Sequence, residues 1–119
     1  MIWEIVFHRE FEEWFFEQAV EVQVLIGMVL DVLEEQGAGL GRPYVDTLKG
    51  SAYKNLKELR VQHDGSPYRI LFAFDPQRQA VLLIGGNKGG DKRWYDVNIP
   101  IAERRFAKYL EETNGCEFL

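Results

Sequence analysis

The chain has 119 residues, a formal net charge of −5 at pH 7 and a hydrophobic content of 46%. That apolar content, with 13% aromatic residues, excludes a disordered chain, and the length suits one domain with its own core. The acidic total argues against a protein that coats nucleic acid, because nonspecific affinity for phosphate rises with the number of Lys and Arg. We therefore expect a single folded domain over residues 1–119.

The charge is unevenly distributed along the chain. Residues 1–40 hold one basic and nine acidic residues, for a net charge of −8. Residues 41–100 hold ten basic and six acidic residues, for +4, and residues 101–119 hold three and four, for −1. The acidic total therefore conceals a basic middle segment, which leaves room for a local basic site.

Several classes of protein are disfavoured by what the sequence lacks. No apolar run reaches the ~18 residues needed to span a bilayer, and the N-terminus lacks the pattern of a signal peptide. Cys116 has no cysteine partner for an internal disulfide, and His8 and His63 are too isolated to form a metal site with it. We expect a cytoplasmic protein that uses no metal, no cofactor and no membrane.

The first third of the chain predicts one strand and two helices. Residues 2–7 are rich in β-branched and aromatic side chains, which favours a strand. Residues 10–18 repeat aromatic residues at the spacing of an amphipathic helix, with glutamates between them. Residues 20–36 carry a second apolar stripe and are followed by Gly37-Ala38-Gly39, as is usual where a helix ends.

The middle of the chain predicts a loop and three strands. Residues 40–54 contain glycine, proline and polar residues without a clear period, and we expect a loop with at most a turn of helix. Residues 56–62, 68–74 and 80–85 are apolar runs separated by two short links dense in turn-forming residues. Such spacing predicts hairpins, so these strands should form an antiparallel meander, of which only one face need be apolar.

The last third predicts a basic loop over residues 86–97 and a final helix that starts at Pro100. The resulting order is β-α-α-β-β-β-α. We expect an α+β fold in which an antiparallel sheet packs against an N-terminal helical hairpin and a C-terminal helix.

Strand alternation predicts a cluster of positive charge on this fold. The alternating pattern places Arg60 and Arg69 on the same surface of the sheet. The glycine-rich loop beside the last strand adds three more cations, namely Lys88, Lys92 and Arg93. Arginine presents a planar fork that fits phosphate oxygens and lysine a point charge, so the cluster is suited to phosphate.

Two aromatic residues, Trp94 and Tyr95, follow these cations. Aromatic rings stack on unpaired bases in single-stranded RNA, although Trp94 is better explained as a cap on the core. Cleavage of RNA by its 2′-hydroxyl needs a proton acceptor, positive charge at phosphorus and a proton donor for the leaving 5′-oxygen. We expect the neighbouring cations to lower the pKa of Tyr95 toward the range in which it can exchange protons.

Several motifs resemble one toxin family. They are Asn55-Leu56-Lys57-Glu58-Leu59-Arg60, Pro67-Tyr68-Arg69-Ile70-Leu71-Phe72-Ala73-Phe74-Asp75-Pro76, Ala80-Val81-Leu82-Leu83-Ile84-Gly85-Gly86-Asn87-Lys88-Gly89-Gly90-Asp91, Trp94-Tyr95 and Ile99-Pro100-Ile101-Ala102. Together they resemble the phage Gp49-like and HigB-like branch of the RelE/ParE toxin superfamily. The resemblance is specific over residues 47–111 and looser over the N-terminal helices.

The resemblance implies the toxin of a type II toxin–antitoxin system. Members of the RelE and HigB groups are typically endoribonucleases that cut mRNA in the ribosomal A site without a metal ion, and a small antitoxin blocks them. In this branch the antitoxin is usually a helix-turn-helix protein. By position, the resemblance implies catalytic roles for Arg69, Lys88, Arg93 and Tyr95. Contacts with RNA are expected from Arg60, Lys92, Trp94, Lys57 and Lys54.

One position departs from the family pattern. RelE-type enzymes often place lysines on the strand before the Tyr-Arg motif, whereas this chain has Glu58 at the nearest outward position. A lysine acting there as general base would have to be Lys54 or Lys57.

Two other functions fit the same residues. One is a non-catalytic toxin of the ParE kind, which inhibits DNA gyrase by protein contact, and the other is a non-toxic phage-derived binding module. The acidic total further predicts weak binding to free RNA, so that the ribosome has to place the message.

Overall fold

The computed structural model describes residues 2–51, 53 and 56–117, with side chains described as far as Thr113. The elements of these residues are β1 (Glu4–Phe7), α1 (Arg9–Glu17), α2 (Val20–Gln36), β2 (Val45–Thr47), β3 (Leu56–His63), β4 (Ser66–Phe74), β5 (Gln79–Asn87) and α3 (Trp94–Glu117). The predicted α+β class and the order of the predicted elements are confirmed, and β2 is an addition. None of the described helices is both long enough and apolar enough to cross a membrane.

The five strands form one mixed sheet in the order β1-β5-β4-β3-β2. The predicted meander of β3, β4 and β5 is antiparallel, while β1 joins its edge parallel to β5. Asp64 and Gly65 connect β3 to β4 with φ angles of 49° and 78°. Positive φ at both positions is what a two-residue hairpin turn of type I′ requires, and it sets the register that pairs His63 with Ser66.

Helices cover both faces of the sheet, whereas the sequence pattern predicted that only one face of the meander need be apolar. Helices α1 and α2 pack on one face around a core that includes Phe11, Ile26 and Phe72. Helix α3 packs on the other face against a second cluster that includes Leu71 and Phe106. The central strands β4 and β5 are therefore apolar on both sides, as strands between two helical layers must be.

Two boundaries differ from the sequence prediction. Strand β2 is only three residues long and lies at the sheet edge beside β3, so it has too few residues to show a period. Helix α3 begins at Trp94, six residues before Pro100, so the loop between β5 and α3 is shorter than predicted. Proline inside a helix removes one backbone hydrogen bond, while Trp94 and Ile99, which precede it in α3, are buried in the second cluster.

Candidate active site

The centre of the predicted basic cluster is a buried carboxylate, Glu58, which is 5% exposed. Its Oε1 accepts a hydrogen bond of 2.5 Å from the Tyr95 hydroxyl and lies 3.6 Å from Nε of Arg69. Its Oε2 accepts a hydrogen bond of 3.1 Å from Nη1 of Arg60. One acidic group is therefore held between two guanidinium groups and a phenol.

The pairing of β3 with β4 brings the two arginines together. Arg60 and Arg69 are direct partners across these strands, so their side chains emerge on the same face, as the alternation predicted. Glu58 lies two residues before Arg60 and shares that face. Arg69 is 5% exposed and also donates through Nη1 to the Tyr68 carbonyl, 2.9 Å away, which fixes its guanidinium against the strand.

The first turn of α3 supplies the phenol. The indole of Trp94 lies against the backbone of Gly86, where a Cβ atom would come within 2.6 Å of the indole nitrogen. Only glycine leaves that space, so β5 and the start of α3 can approach closely. Tyr95, the next residue, is thereby placed over Glu58, 37 residues away in the sequence.

The environment raises the pKa of Tyr95 to about 12, which corrects the expectation that neighbouring cations lower it. Burial is the largest cause, and the hydrogen bond to Glu58 and its negative charge add to it, while Arg69 acts in the opposite direction. A group that donates to a carboxylate retains its proton more strongly. Tyr95 is therefore a protonated phenol at neutral pH, suited to donate a proton.

The loop cations differ in how close they come to this cluster. Nζ of Lys88 lies 5.7 Å from the centre of the Tyr95 ring, within the range of a cation–π contact. Lys92 and Arg93 are exposed on the loop before α3. Lys88 is therefore part of the site, whereas Lys92 and Arg93 lie on its solvent-exposed side.

Three residues predicted to contact RNA are placed elsewhere or not described. Trp94 is 6% exposed and belongs to the core beneath α3, so its ring is not available for stacking on a base. Alternation along β3 directs Lys57 to the same face as Leu59, which is the face covered by α1 and α2. Lys54 lies outside the described residues.

Glu58 is the site residue that the sequence analysis treated as a departure from a pattern. Its significance depends on partners in β4 and α3, and the sequence alone does not place these next to it. A usable signal was its position on the same strand face as Arg60, two residues away. Among the described residues no group of His, Cys, Asp and Glu is arranged to hold a metal ion. The arrangement offers a proton acceptor, a proton donor and fixed positive charge.

Comparison with known proteins identifies one matching family and two similar toxins. Residues 13–107 match the family described as phage-derived protein Gp49-like. The protein named toxin HigB3 of Mycobacterium tuberculosis is 46% identical over 112 residues, which cover 93% of this chain and 96% of that protein. The one named toxin HigB2, from the same organism, is 50% identical over 94 residues, covering 77% of this chain and 47% of that protein.

Two solved structures share the fold at low sequence identity. A free double-arginine mutant of E. coli toxin RelE superposes with a TM-score of 0.61 at 12% identity, covering 88% of this chain and 98% of that chain. The archaeal RelE–RelB complex from Pyrococcus horikoshii gives a TM-score of 0.55 at 17% identity, covering 76% and 99%. These likenesses establish the architecture.

Proposed function

Because the chain belongs to the Gp49-like family and resembles HigB toxins along nearly its whole length, we propose that it is the toxin of a type II toxin–antitoxin system. Its activity is that of an mRNA interferase, an endoribonuclease that cuts messages on translating ribosomes in the cytoplasm. The observation that carries this proposal is the partly buried cluster of Glu58, Tyr95, Arg60 and Arg69.

Glu58 and Tyr95 supply the proton transfers. Glu58 takes the proton of the 2′-hydroxyl as the 2′-oxygen forms its bond to phosphorus, and Tyr95 gives its proton to the 5′-oxygen as the P–O5′ bond breaks. The products are a 2′,3′-cyclic phosphate and a 5′-hydroxyl. Tyr95 can act as the donor because it is protonated at neutral pH, and its raised pKa, about 12, still lies below that of the alcohol formed at the 5′-oxygen.

The arginines stabilise the charge that develops on the phosphate. Nε of Arg69 is buried and, within the described part of the chain, makes the 3.6 Å ion pair with Glu58 but no hydrogen bond. A buried donor of this kind normally requires a partner, and a phosphate oxygen would provide one. With Arg60 and Lys88 it supplies positive charge from side chains, so we propose that the reaction needs no metal ion.

The contact between Glu58 and Tyr95 supports a requirement for the ribosome. In an in-line displacement the attacking and leaving oxygens lie on opposite sides of phosphorus, whereas these two side chains are 2.5 Å apart. The phosphate must therefore enter between them and break their hydrogen bond. A message held rigidly in the A site loses less entropy on entering the site than a flexible free RNA, so more of its binding energy is left to break this hydrogen bond.

The proposal includes an antitoxin that blocks the toxin. The RelE of P. horikoshii is found in complex with RelB, and the same arrangement is proposed for this chain. Whether the antitoxin is of the helix-turn-helix type stays a prediction, which the reading frame beside this gene will test.

The test is cleavage of a defined mRNA on purified ribosomes, mapped by primer extension. We expect Glu58→Gln and Tyr95→Phe each to slow cleavage by about 10²–10⁴-fold, the usual contribution of a positioned acid or base. Tyr109→Phe is the matched control, because Tyr109 also donates to a carboxylate, that of Asp75, but away from the site. A phosphorothioate at the cleaved position should slow the reaction without rescue by Mn²⁺.

Three outcomes would contradict the proposal. Cleavage at the parental rate by both Glu58→Gln and Tyr95→Phe would show that these residues do not transfer the protons. Growth arrest with intact messages and inhibited supercoiling by gyrase would indicate a toxin of the ParE kind. Unimpaired growth on expression without the neighbouring gene would indicate a non-toxic binding module.

A further inference from the structure

Helix α2 exposes an apolar stripe on the side that faces solvent. Val20, Val24 and Met28 recur every four residues and are 69%, 55% and 59% exposed. Residues four apart lie on the same face of a helix, so the three form one continuous surface. Phe16, at the end of α1, is also exposed. Contiguous exposed apolar surface of this kind marks an interaction site.

This stripe borders a groove of about 540 Å³ between α2 and the segment that leads into β2. One wall consists of Leu25, Met28, Val29 and Val32 from α2, and Tyr44 lies on the opposite side. The groove is therefore open to solvent and mainly apolar.

The charged side chains that line the groove are all basic. Its lining contains three arginines, Arg42, Arg60 and Arg69, and no acidic side chain. Arg60 and Arg69 also contact Glu58, so these two residues link the groove on the α2 side of the sheet to the candidate active site on the α3 side. Arg42 makes an exposed ion pair with Asp46, a kind of contact that is easily exchanged for another carboxylate.

These features favour one occupant over two others. The apolar wall does not suit an RNA backbone, which needs cations along its whole length. A second copy related by a two-fold axis would place both sets of arginines in one interface, and the groove lining has no acidic side chain to pair with them. A protein segment with apolar side chains and one or more carboxylates matches both the wall and the arginines.

Resting on the proposed function, we propose that the groove between α2 and Tyr44 is the docking site of the antitoxin. A segment of the antitoxin places apolar side chains against Met28 and Val29 and carboxylates beside Arg42 and Arg60. Because Arg60 and Arg69 serve both the groove and the active site, docking also neutralises the charge that a phosphate needs. Inhibition therefore does not require the segment to fill the catalytic centre.

The experiment uses the full chain and the purified product of the reading frame adjacent to its gene. Affinity is measured by calorimetry, and growth is followed with both proteins expressed. We expect Met28→Glu and Arg42→Glu each to weaken binding at least tenfold, and cells carrying these variants to stop growing despite the antitoxin. Cleavage on ribosomes should stay at the parental level, since neither residue belongs to the catalytic cluster.

Matched controls make the same changes elsewhere. Ile2→Glu alters another exposed apolar residue, and Arg104→Glu alters an exposed arginine on α3. Both should bind the antitoxin like the unaltered chain, and circular dichroism checks that all four variants fold.

Unchanged affinity of Met28→Glu and Arg42→Glu, or no binding by the adjacent product, would overturn the docking site. So would a dimer of the unaltered chain in light scattering that Met28→Glu converts to a monomer, because the face would then join two copies. Failure of the proposed function is seen separately, as absence of mRNA cleavage by the chain alone.

Discussion

Glu58 and Arg69 are buried charges that depend on each other. Removing one partner from a buried ion pair typically costs about 3–5 kcal/mol, because the remaining charge is left without compensation. Replacement of Arg69 by alanine would therefore combine a loss of stability with any loss of catalysis. The isosteric change Glu58→Gln separates the two effects better, since the amide keeps the volume of the side chain and one oxygen that accepts hydrogen bonds.

The raised pKa of Tyr95 makes a prediction about stability at high pH. The pKa rises from the ordinary value of 10.0 to about 12 in the folded protein, so the protonated phenol is favoured by folding. Its contribution is complete below pH 10 and is lost as the pH rises from about 10 to 12. We expect the free energy of unfolding to fall less over this range in Tyr95→Phe than in the unaltered chain, measured by urea denaturation.

The pKa of Tyr109 is also raised, by burial and by Asp75, so Tyr109→Phe is the control that keeps the Tyr95 contribution. Absorbance at the phenolate band provides a second measurement. In a pH titration followed at this band, Tyr95→Phe should lose one tyrosine that ionises well above pH 10. An unchanged titration curve would contradict the raised pKa of Tyr95.

At the scale of elements, the contact between β5 and α3 determines the geometry of the site. Gly85 and Gly86 are neighbours on β5, and Trp14 and Trp94 pack against them from opposite faces of the sheet. The two indoles therefore clamp β5 between the helical layers. Tyr95 directly follows Trp94, so any shift of that indole moves the phenol relative to Glu58.

Gly86→Ala should consequently reduce both stability and cleavage. The added Cβ would lie 2.6 Å from the Trp94 indole nitrogen, and overpacking of this kind typically costs about 1–3 kcal/mol. Gly27→Ala is the matched control, because a Cβ there meets no atom within 4 Å. In the interior of α2 that change should stabilise the protein by about 0.5–1 kcal/mol. Thermal unfolding and the ribosome assay measure both, and equal effects of the two changes would contradict this interpretation.

At the scale of the molecule, basic side chains cluster in two places, whereas the three-part division of the sequence indicated only the middle segment. The middle segment supplies the arginines of the site, as expected. However, four basic and two acidic residues line one cleft of about 720 Å³ between the start of α1 and α3, namely Arg9, Arg104, Arg105, Lys108, Glu10 and Glu112. These residues come from the two segments with net negative charge. Arg105 bridges them by an ion pair of 2.6 Å with Glu10.

The net charge of −5 still predicts weak binding to free RNA. We expect a Kd weaker than about 10 μM for a single-stranded oligonucleotide at physiological salt, as for nonspecific contacts that release few counterions. Fluorescence anisotropy at several salt concentrations measures it. Tight binding to naked RNA would contradict the requirement for the ribosome. If the second cleft contributes, Arg104→Glu combined with Lys108→Glu should weaken the binding further.

Local patterns were sufficient for most of the elements. The apolar period of α2 predicted its bounds of Val20–Gln36, and alternation in β3 and β4 correctly placed Arg60 and Arg69 on one face. Both signals depend on residues only a few positions apart, whose side-chain directions follow from backbone geometry. The same alternation identified the strand face on which the site is built.

Long-range packing decided the rest. The sequence by itself determined the α+β class, the order of most elements and the arginine surface, because these follow from local periodicity. Only the tertiary structure decided that Trp94 is buried, that α3 starts before Pro100 and that Glu58 binds Tyr95. Those features depend on contacts between distant residues, and burial in such contacts changes what a side chain can do, as it does for the pKa of Tyr95.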